Sequence, residues 1–233
     1  MPPSSDPLPR PAARWADLRL RVVSAAVLVP LALICTWLGG IPFALLLLAG
    51  TMGLVVEWTQ MARAGRASAT VLSAGILYLL LAAASLIWVR ADPHVGRANV
   101  VFLLVLVWAS DIGAYAAGRA IGGPRLAPRI SPGKTVSGAV GGLLAVVAVG
   151  MIAAAISSTQ LARAGTLATL LGVVAQAGDL AESYVKRRFG VKDSGRLIPG
   201  HGGLLDRVDA LSAVALAAAL LALIDGRGVP LWE

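Results

Sequence analysis

Residues 22–56 read VVSAAVLVPLALICTWLGGIPFALLLLAGTMGLVV and carry no charged side chain. A hydrocarbon core of roughly 30 Å is crossed by about 20 residues of helix, so this run is too long for one span. Gly39-Gly40-Ile41-Pro42 supplies the turn that divides it, giving spans near 22–38 and 41–57. In lipid every backbone N–H and C=O must be satisfied within the chain, which makes each span a helix.

Outward from this pair, the same criterion marks spans near 67–89, 99–119, 135–162, 163–178 and 210–224. The fold expected is all-α, a polytopic transmembrane helical bundle of about seven spans. The last two of the series before the C-terminus are short, so each is expected to sit partly in protein or to extend into the charged segment between them. A chain with 58% hydrophobic and 14% charged residues is too apolar for an ordinary soluble domain. Residues 1–18 read as a disordered or interfacial head without a cleavable signal, and 19–233 as one membrane-embedded domain. Cys35 stands alone, which excludes an internal disulfide and a cysteine metal site, and reads as a small buried apolar residue.

The formal charge of +8 raises nucleic acid as a partner, but the basic residues are scattered between apolar spans and no recognition module is present. Anionic head groups and phosphorylated ligands fit better. With the N-terminus inside, sixteen of the twenty Lys and Arg fall on the inner side and only Arg90, Arg97, Arg163 and Arg227 on the outer. This asymmetry favours a cytoplasmic N-terminus and places the 119–134 loop and residues 179–209 on the cytoplasmic face of an inner membrane.

Residues 179–209, DLAESYVKRRFGVKDSGRLIPGHGGLLDRVD, hold eleven of the thirty-two charged residues between two apolar runs. Burying an unpaired charge is costly, so the cluster is a water-facing loop or a site for a charged ligand. Asp179 with Glu182, and Asp206 with Asp209, are each spaced i, i+3, which sets each pair on one helix face. Two such faces suit a hard divalent cation, which takes oxygen ligands; helix-end solvation explains Asp206 as well, through the macrodipole, but not Asp179 and Glu182 at a C-terminus. The basic run Lys186, Arg187, Arg188, Lys192 and Arg196 alone reads as a lipid-facing cuff. Beside four acids and Gly200-His201-Gly202-Gly203 it reads as a polyphosphate–metal pocket, with His201 a candidate donor. His94, in an outer loop, carries no such weight.

Asp111, in Trp108-Ala-Ser-Asp111, is read as the only acid inside an apolar span, a functional residue or a structural partner of Arg119. Ser131-Pro-Gly-Lys134-Thr135 is not a Walker motif, since Pro128 stands where the first glycine belongs. As a turn opening the fifth helix it is equally an anion site with a lysine or an ordinary cap. Gly118-x-x-x-Gly122 and Gly138-x-x-x-Gly142 are spacings that let helices pack closely.

Ser183-Tyr-Val-Lys186-Arg187, Lys192-Asp193-Ser-Gly and Pro199-Gly-His201-Gly-Gly-Leu-Leu-Asp206-Arg207-Val-Asp209 together resemble the signature of the phosphatidate cytidylyltransferases, the CDP-diacylglycerol synthases. Residues 108–119 and 130–135 are similar to two further blocks of that family, and the resemblance runs from about 100 to 225. It implies transfer of the cytidylyl group of CTP to phosphatidic acid with release of pyrophosphate, in a membrane and with Mg2+, with room for a second, monovalent cation. By the same resemblance Asp179, Asp206, Asp209 and Glu182 would serve the metal. Asp111, Lys134, Lys186, Lys192, His201 and Arg207 would be catalytic, and Ser131, Ser183, Arg187, Gly202 and Gly203 substrate-binding. A homodimer is left open. The attacking group is already an anionic phosphate, so no Ser or Cys nucleophile is required; two polyanions must be brought together and the leaving pyrophosphate stabilised.

Two other functions fit parts of the sequence. An ion-coupled transporter would use intramembrane Asp111 and the acid pairs as a cation path, but internal repeats with matching broken spans are missing. The same CTP chemistry on a different lipid phosphate would differ only in the lipid-facing residues.

Overall fold

The computed structural model describes the chain from residue 11 onward except residues 199, 201 and 227, with the side chains of residues 11–19 and 21 left aside. Among the described residues it is a bundle of seven helices: α1 (Pro11–Leu38), α2 (Gly40–Ala64), α3 (Ala69–Arg90), α4 (Gly96–Ala120), α5 (Val136–Ser157), α6 (Leu161–Arg188) and α7 (Leu205–Asp225). Helices α2 to α7 are each long and apolar enough to cross a membrane; within α1 the apolar part is shorter, Val22–Leu38. Of the head expected over 1–18, residues 1–10 lie outside the described residues and 11–18 begin α1.

Each turn follows from local chemistry. Gly39 and Gly40 have φ of 67° and 51°, a left-handed pair that reverses the chain between α1 and α2 as the Gly-Gly-Ile-Pro reading expected. Ser68 caps α3 by accepting from Val71 N, and Thr135 caps α5 by accepting from Gly138 N at 3.0 Å. The α4–α5 connection departs from an all-helical path: β1 (Arg125–Ala127) and β2 (Ser131–Thr135) form an antiparallel hairpin. The Ser131–Thr135 segment is therefore a strand leading to the cap, not a helix-opening turn.

Two helices outrun the spans read from hydropathy. Helix α2 continues past residue 57 to Ala64, and α6 continues past residue 178 to Arg188. A charge ends an apolar window, but backbone hydrogen bonding does not stop there. The second helix consequently carries Glu57 inside it, and Asp111 is not the only intramembrane acid.

Helices α4 and α5 lie closest together. A Cβ at Gly138 would come within 2.9 Å of Ala114 O, and one at Gly142 within 2.9 Å of Ser110 O, so those glycines permit the approach. Gly122 does not take part; it lies beyond α4 with φ 67° and open space around it.

The main apolar core includes Leu103, Leu106, Val146, Leu171 and Val214, all essentially inaccessible. A second cluster of Leu54, Trp58, Met61, Leu79 and Leu205 lies beneath the α6–α7 loop, where Trp58 donates Nε1–H to Leu72 O. Cys35 is a buried free thiol, as expected. Many large apolar side chains point outward, among them Leu48, Leu144 and Ile156, as a bundle solvated by lipid requires.

Candidate active site

The C-terminal ends of α4 and α6, the N-terminal ends of α5 and α7, and the hairpin meet at one end of the bundle. A cavity of about 400 Å³ opens there, with Asp111, Tyr115 and Arg119 from α4, Arg125 and Lys134 from the hairpin, and Gln176 and Asp179 from α6 in its wall. Asp111, Tyr115 and Arg119 are spaced i, i+4, i+8, one stripe of α4. Lys134 Nζ is ion-paired with Asp179 Oδ2, so the hairpin lysine and the α6 carboxylate hold each other across the mouth. Asp111 is close enough to Asp179, Lys134 and Arg207 to feel their charges, and Asp209 to feel Asp179 and Lys186. Gln176 donates to Ala139 O at 3.0 Å and fixes the α5–α6 side of the wall.

Beside this cavity lies a second charged group. Lys186 Nζ stands 2.5 Å from Glu182 Oε2 and 2.6 Å from Asp206 Oδ1, all three side chains being about one-tenth exposed. Asp206 also accepts from Ser194 N at 3.1 Å and Gly203 N at 3.2 Å. Glu182 lacks hydrogen bonds: both of its carboxylate oxygens are buried with no bond of proper geometry among the described residues, only the ion pair.

The residue missed by sequence reasoning is Glu57. It is 1% exposed, and its carboxylate accepts from Leu205 N at 2.9 Å, Leu197 N at 3.3 Å and Ser194 Oγ at 3.4 Å. One side chain from α2 thus satisfies three donors of residues 194–205, two of which, Ser194 Oγ and Leu205 N, otherwise would be buried without that partner. Gly195 permits it, since a Cβ there would collide with the Glu57 carboxylate. Gly203 is needed for the same loop: a Cβ would strike Ser194 Oγ and approach Asp206 Oδ2 to 2.9 Å. The signal available in the sequence was an acid with apolar residues on both sides, Val55-Val56-Glu57-Trp58, in the register of a helix that continues.

The remaining expected residues divide. Ser131 lies in β2 and Ser183 half-buried on α6. Arg187 donates Nε–H to Ile130 O at 3.2 Å and Nη1–H to Val191 O at 3.1 Å, which braces the hairpin against the end of α6. Gly202, with φ 83°, accepts from Ile198 N and closes the loop on itself, while the space beside Gly203 is taken by Ser194 Oγ, Gly195 N and Asp206 Oδ2. Arg207 is exposed at the start of α7 and Lys192 is exposed on the α6–α7 loop. His201 lies outside the described residues.

The four carboxylates expected to share a metal do not converge: among the described residues no three His, Cys, Asp or Glu side chains stand close enough to hold one ion. Ammonium groups occupy the gaps, Lys134 at Asp179 and Lys186 between Glu182 and Asp206. The donor set itself, all carboxylate oxygen, with Glu182 held only by its ion pair to Lys186, fits a hard divalent cation.

Comparison with known proteins bears on the family of the chain. Residues 67–224 match the family described as the cytidylyltransferase family. A phosphatidate cytidylyltransferase of Brucella suis is 40% identical over 255 aligned residues, covering 88% of this chain and 92% of that one. One from Rickettsia bellii is 34% identical over 91% of this chain and 92% of its own length. A third, from Haemophilus influenzae, is 46% identical over 52% of this chain and 44% of its own. A match across most of the helical bundle, including every element that lines the cavity, means that the chain belongs to the cytidylyltransferase family.

Proposed function

We propose that this protein transfers the cytidylyl group of CTP to phosphatidic acid, giving CDP-diacylglycerol and pyrophosphate. The observation that carries the reading is the pair of lysine–carboxylate groups gathered at one end of a membrane bundle, around a cavity lined by Arg119 and Arg125, in a chain of this family. A phosphate oxygen of phosphatidic acid attacks the α-phosphorus of CTP, the bond to the β-phosphate oxygen breaks, and the electron pair leaves with pyrophosphate. The residues supply placement and charge rather than covalent chemistry.

Lys134, Arg119 and Arg125 face the cavity and hold phosphate oxygens; Lys186 and Arg207 extend the cationic wall toward α7. Asp111, at the start of the cavity stripe, orients the nearby cations. Glu57 keeps the 194–205 loop folded under Asp206 and so sets where Lys186 stands. Mg2+ would be held by one or two of the carboxylates Asp179, Asp209, Glu182 and Asp206 rather than by all four, and would neutralise charge on the departing pyrophosphate; an ammonium that leaves its carboxylate for a phosphate frees that carboxylate for the cation.

The orientation that fits is an inner membrane with the cavity toward the cytoplasm, because the basic residues gather at that end and CTP is cytosolic. Phosphatidic acid then enters from the adjoining leaflet. The test is purified protein in mixed micelles with labelled CTP, phosphatidic acid and Mg2+. CDP-diacylglycerol and pyrophosphate in equal amounts, abolished by a chelator, is the result expected; turnover of CTP only with another lipid phosphate would change the substrate, and no turnover with any lipid would remove the reading.

A further inference from the structure

At the opposite end of the bundle lies a larger cavity, of about 720 Å³, between the turn joining α1 to α2 and the turn joining α3 to α4. The α4 rise of about 1.5 Å per residue separates Arg97 from Asp111 by roughly 21 Å along the helix, so this is a separate site. Two arginines face it. Arg90 is fixed: it donates Nε–H to Thr36 O at 2.7 Å and Nη2–H to Trp37 O at 3.1 Å, lying over Gly39, where a Cβ would collide with its guanidinium. Arg97 stacks on the Trp37 ring at 4.2 Å and forms no ion pair with a described carboxylate.

The one carboxylate in the wall, Asp92, is held by backbone N–H groups of His94, Val95 and Gly228, and is 8% exposed. Two guanidiniums with an imidazole beside them therefore present net positive charge to the cavity, while Phe43, Ile87 and Val101 supply an apolar wall. Guanidinium forks match phosphate oxygens, and tryptophan beside cations marks the head-group level of a bilayer. An apolar wall has no use for a free anion but accommodates the glycerol and first acyl carbons of a lipid.

We propose that this cavity binds the phosphate of a glycerophospholipid from the leaflet opposite the active site, with Arg90 and Arg97 as its ligands. The proposal rests on the reading above only for which leaflet that is; lipid binding here is measured without CTP and stands or falls apart from turnover.

The test is native mass spectrometry of the delipidated full-length protein titrated with phosphatidylglycerol, which is not a substrate of the proposed reaction. The wild type is expected to retain one more lipid than Arg97→Ala and to hold it at least fivefold more tightly, with 10 mM inorganic phosphate failing to displace it. Ala98→Trp, which fills the cavity while keeping both arginines, is expected to lose the same lipid. Cytidylyl transfer in mixed micelles should be unchanged in both variants, showing that they are folded. Equal lipid retention by all three proteins overturns the proposal, and so does displacement by inorganic phosphate, which would make this a free-anion site.

Discussion

Glu57 is the most consequential side chain outside the cavity, because it is a buried carboxylate whose partners are backbone N–H groups of a distant loop. Glu57→Ala leaves the donors at Leu197, Leu205 and Ser194 without an acceptor, at about 1–3 kcal/mol each. The expected outcome is a protein that retains its helical circular dichroism but loses its cooperative melt near the wild-type temperature and most of its turnover; wild-type melting would remove the loop-clamp role. At Lys186 the logic is reversed. Lys186→Met strands Glu182 and Asp206 as uncompensated, nearly buried anions, a loss on the order of 3–5 kcal/mol, and a second change, Glu182→Gln, should restore part of the melting temperature. If the double variant melts no higher than the single one, the two charges are not coupled as described.

At the scale of elements, the closeness of α4 and α5 sets the width of the cavity. Gly142→Val would push against Ser110 O and Gln176 Nε2, each within 2.9 Å of the added Cβ. Overpacking of this kind costs about 1–3 kcal/mol, so thermal inactivation in detergent should occur at a lower temperature, with the Michaelis constant for CTP raised; an unchanged inactivation curve would mean that the helices yield freely. The helices themselves were legible in the sequence, because apolar runs mark all seven, those of α6 and α7 being short, and glycine marks the α1–α2 turn. The acid pairs were legible too: Asp179 with Glu182 and Asp206 with Asp209 do lie on α6 and α7 at helical spacing. What hydropathy could not show was the continuation of α2 beyond Glu57, since a charge closes an apolar window without ending the hydrogen-bond ladder. Nor could it show the hairpin, whose strands of three and five residues are too short to establish an alternating pattern. The Lys134–Asp179 and Lys186–Asp206 pairs are set by tertiary approach over 45 and 20 positions, which no local spacing encodes.

For the whole molecule, the charged cavity at one end and the arginine-lined cavity at the other give the bundle a polarity that can be read from outside. In a Cys35→Ser background, Lys192→Cys should react with a membrane-impermeant maleimide only in inverted vesicles, and His94→Cys only in intact spheroplasts; the reverse pattern would invert the topology. The central claim is that the Lys134–Asp179 pair and its cavity carry out cytidylyl transfer. The measurement that tests it most directly is the rate of CDP-diacylglycerol formation by purified Asp179→Asn and Lys134→Ala, compared with wild type at matched helical content. A loss of at least 100-fold for Asp179→Asn, with a raised Michaelis constant for CTP or a lower rate for Lys134→Ala, is the result predicted. Near-normal turnover by both folded variants would contradict the account and place the chemistry elsewhere in the bundle.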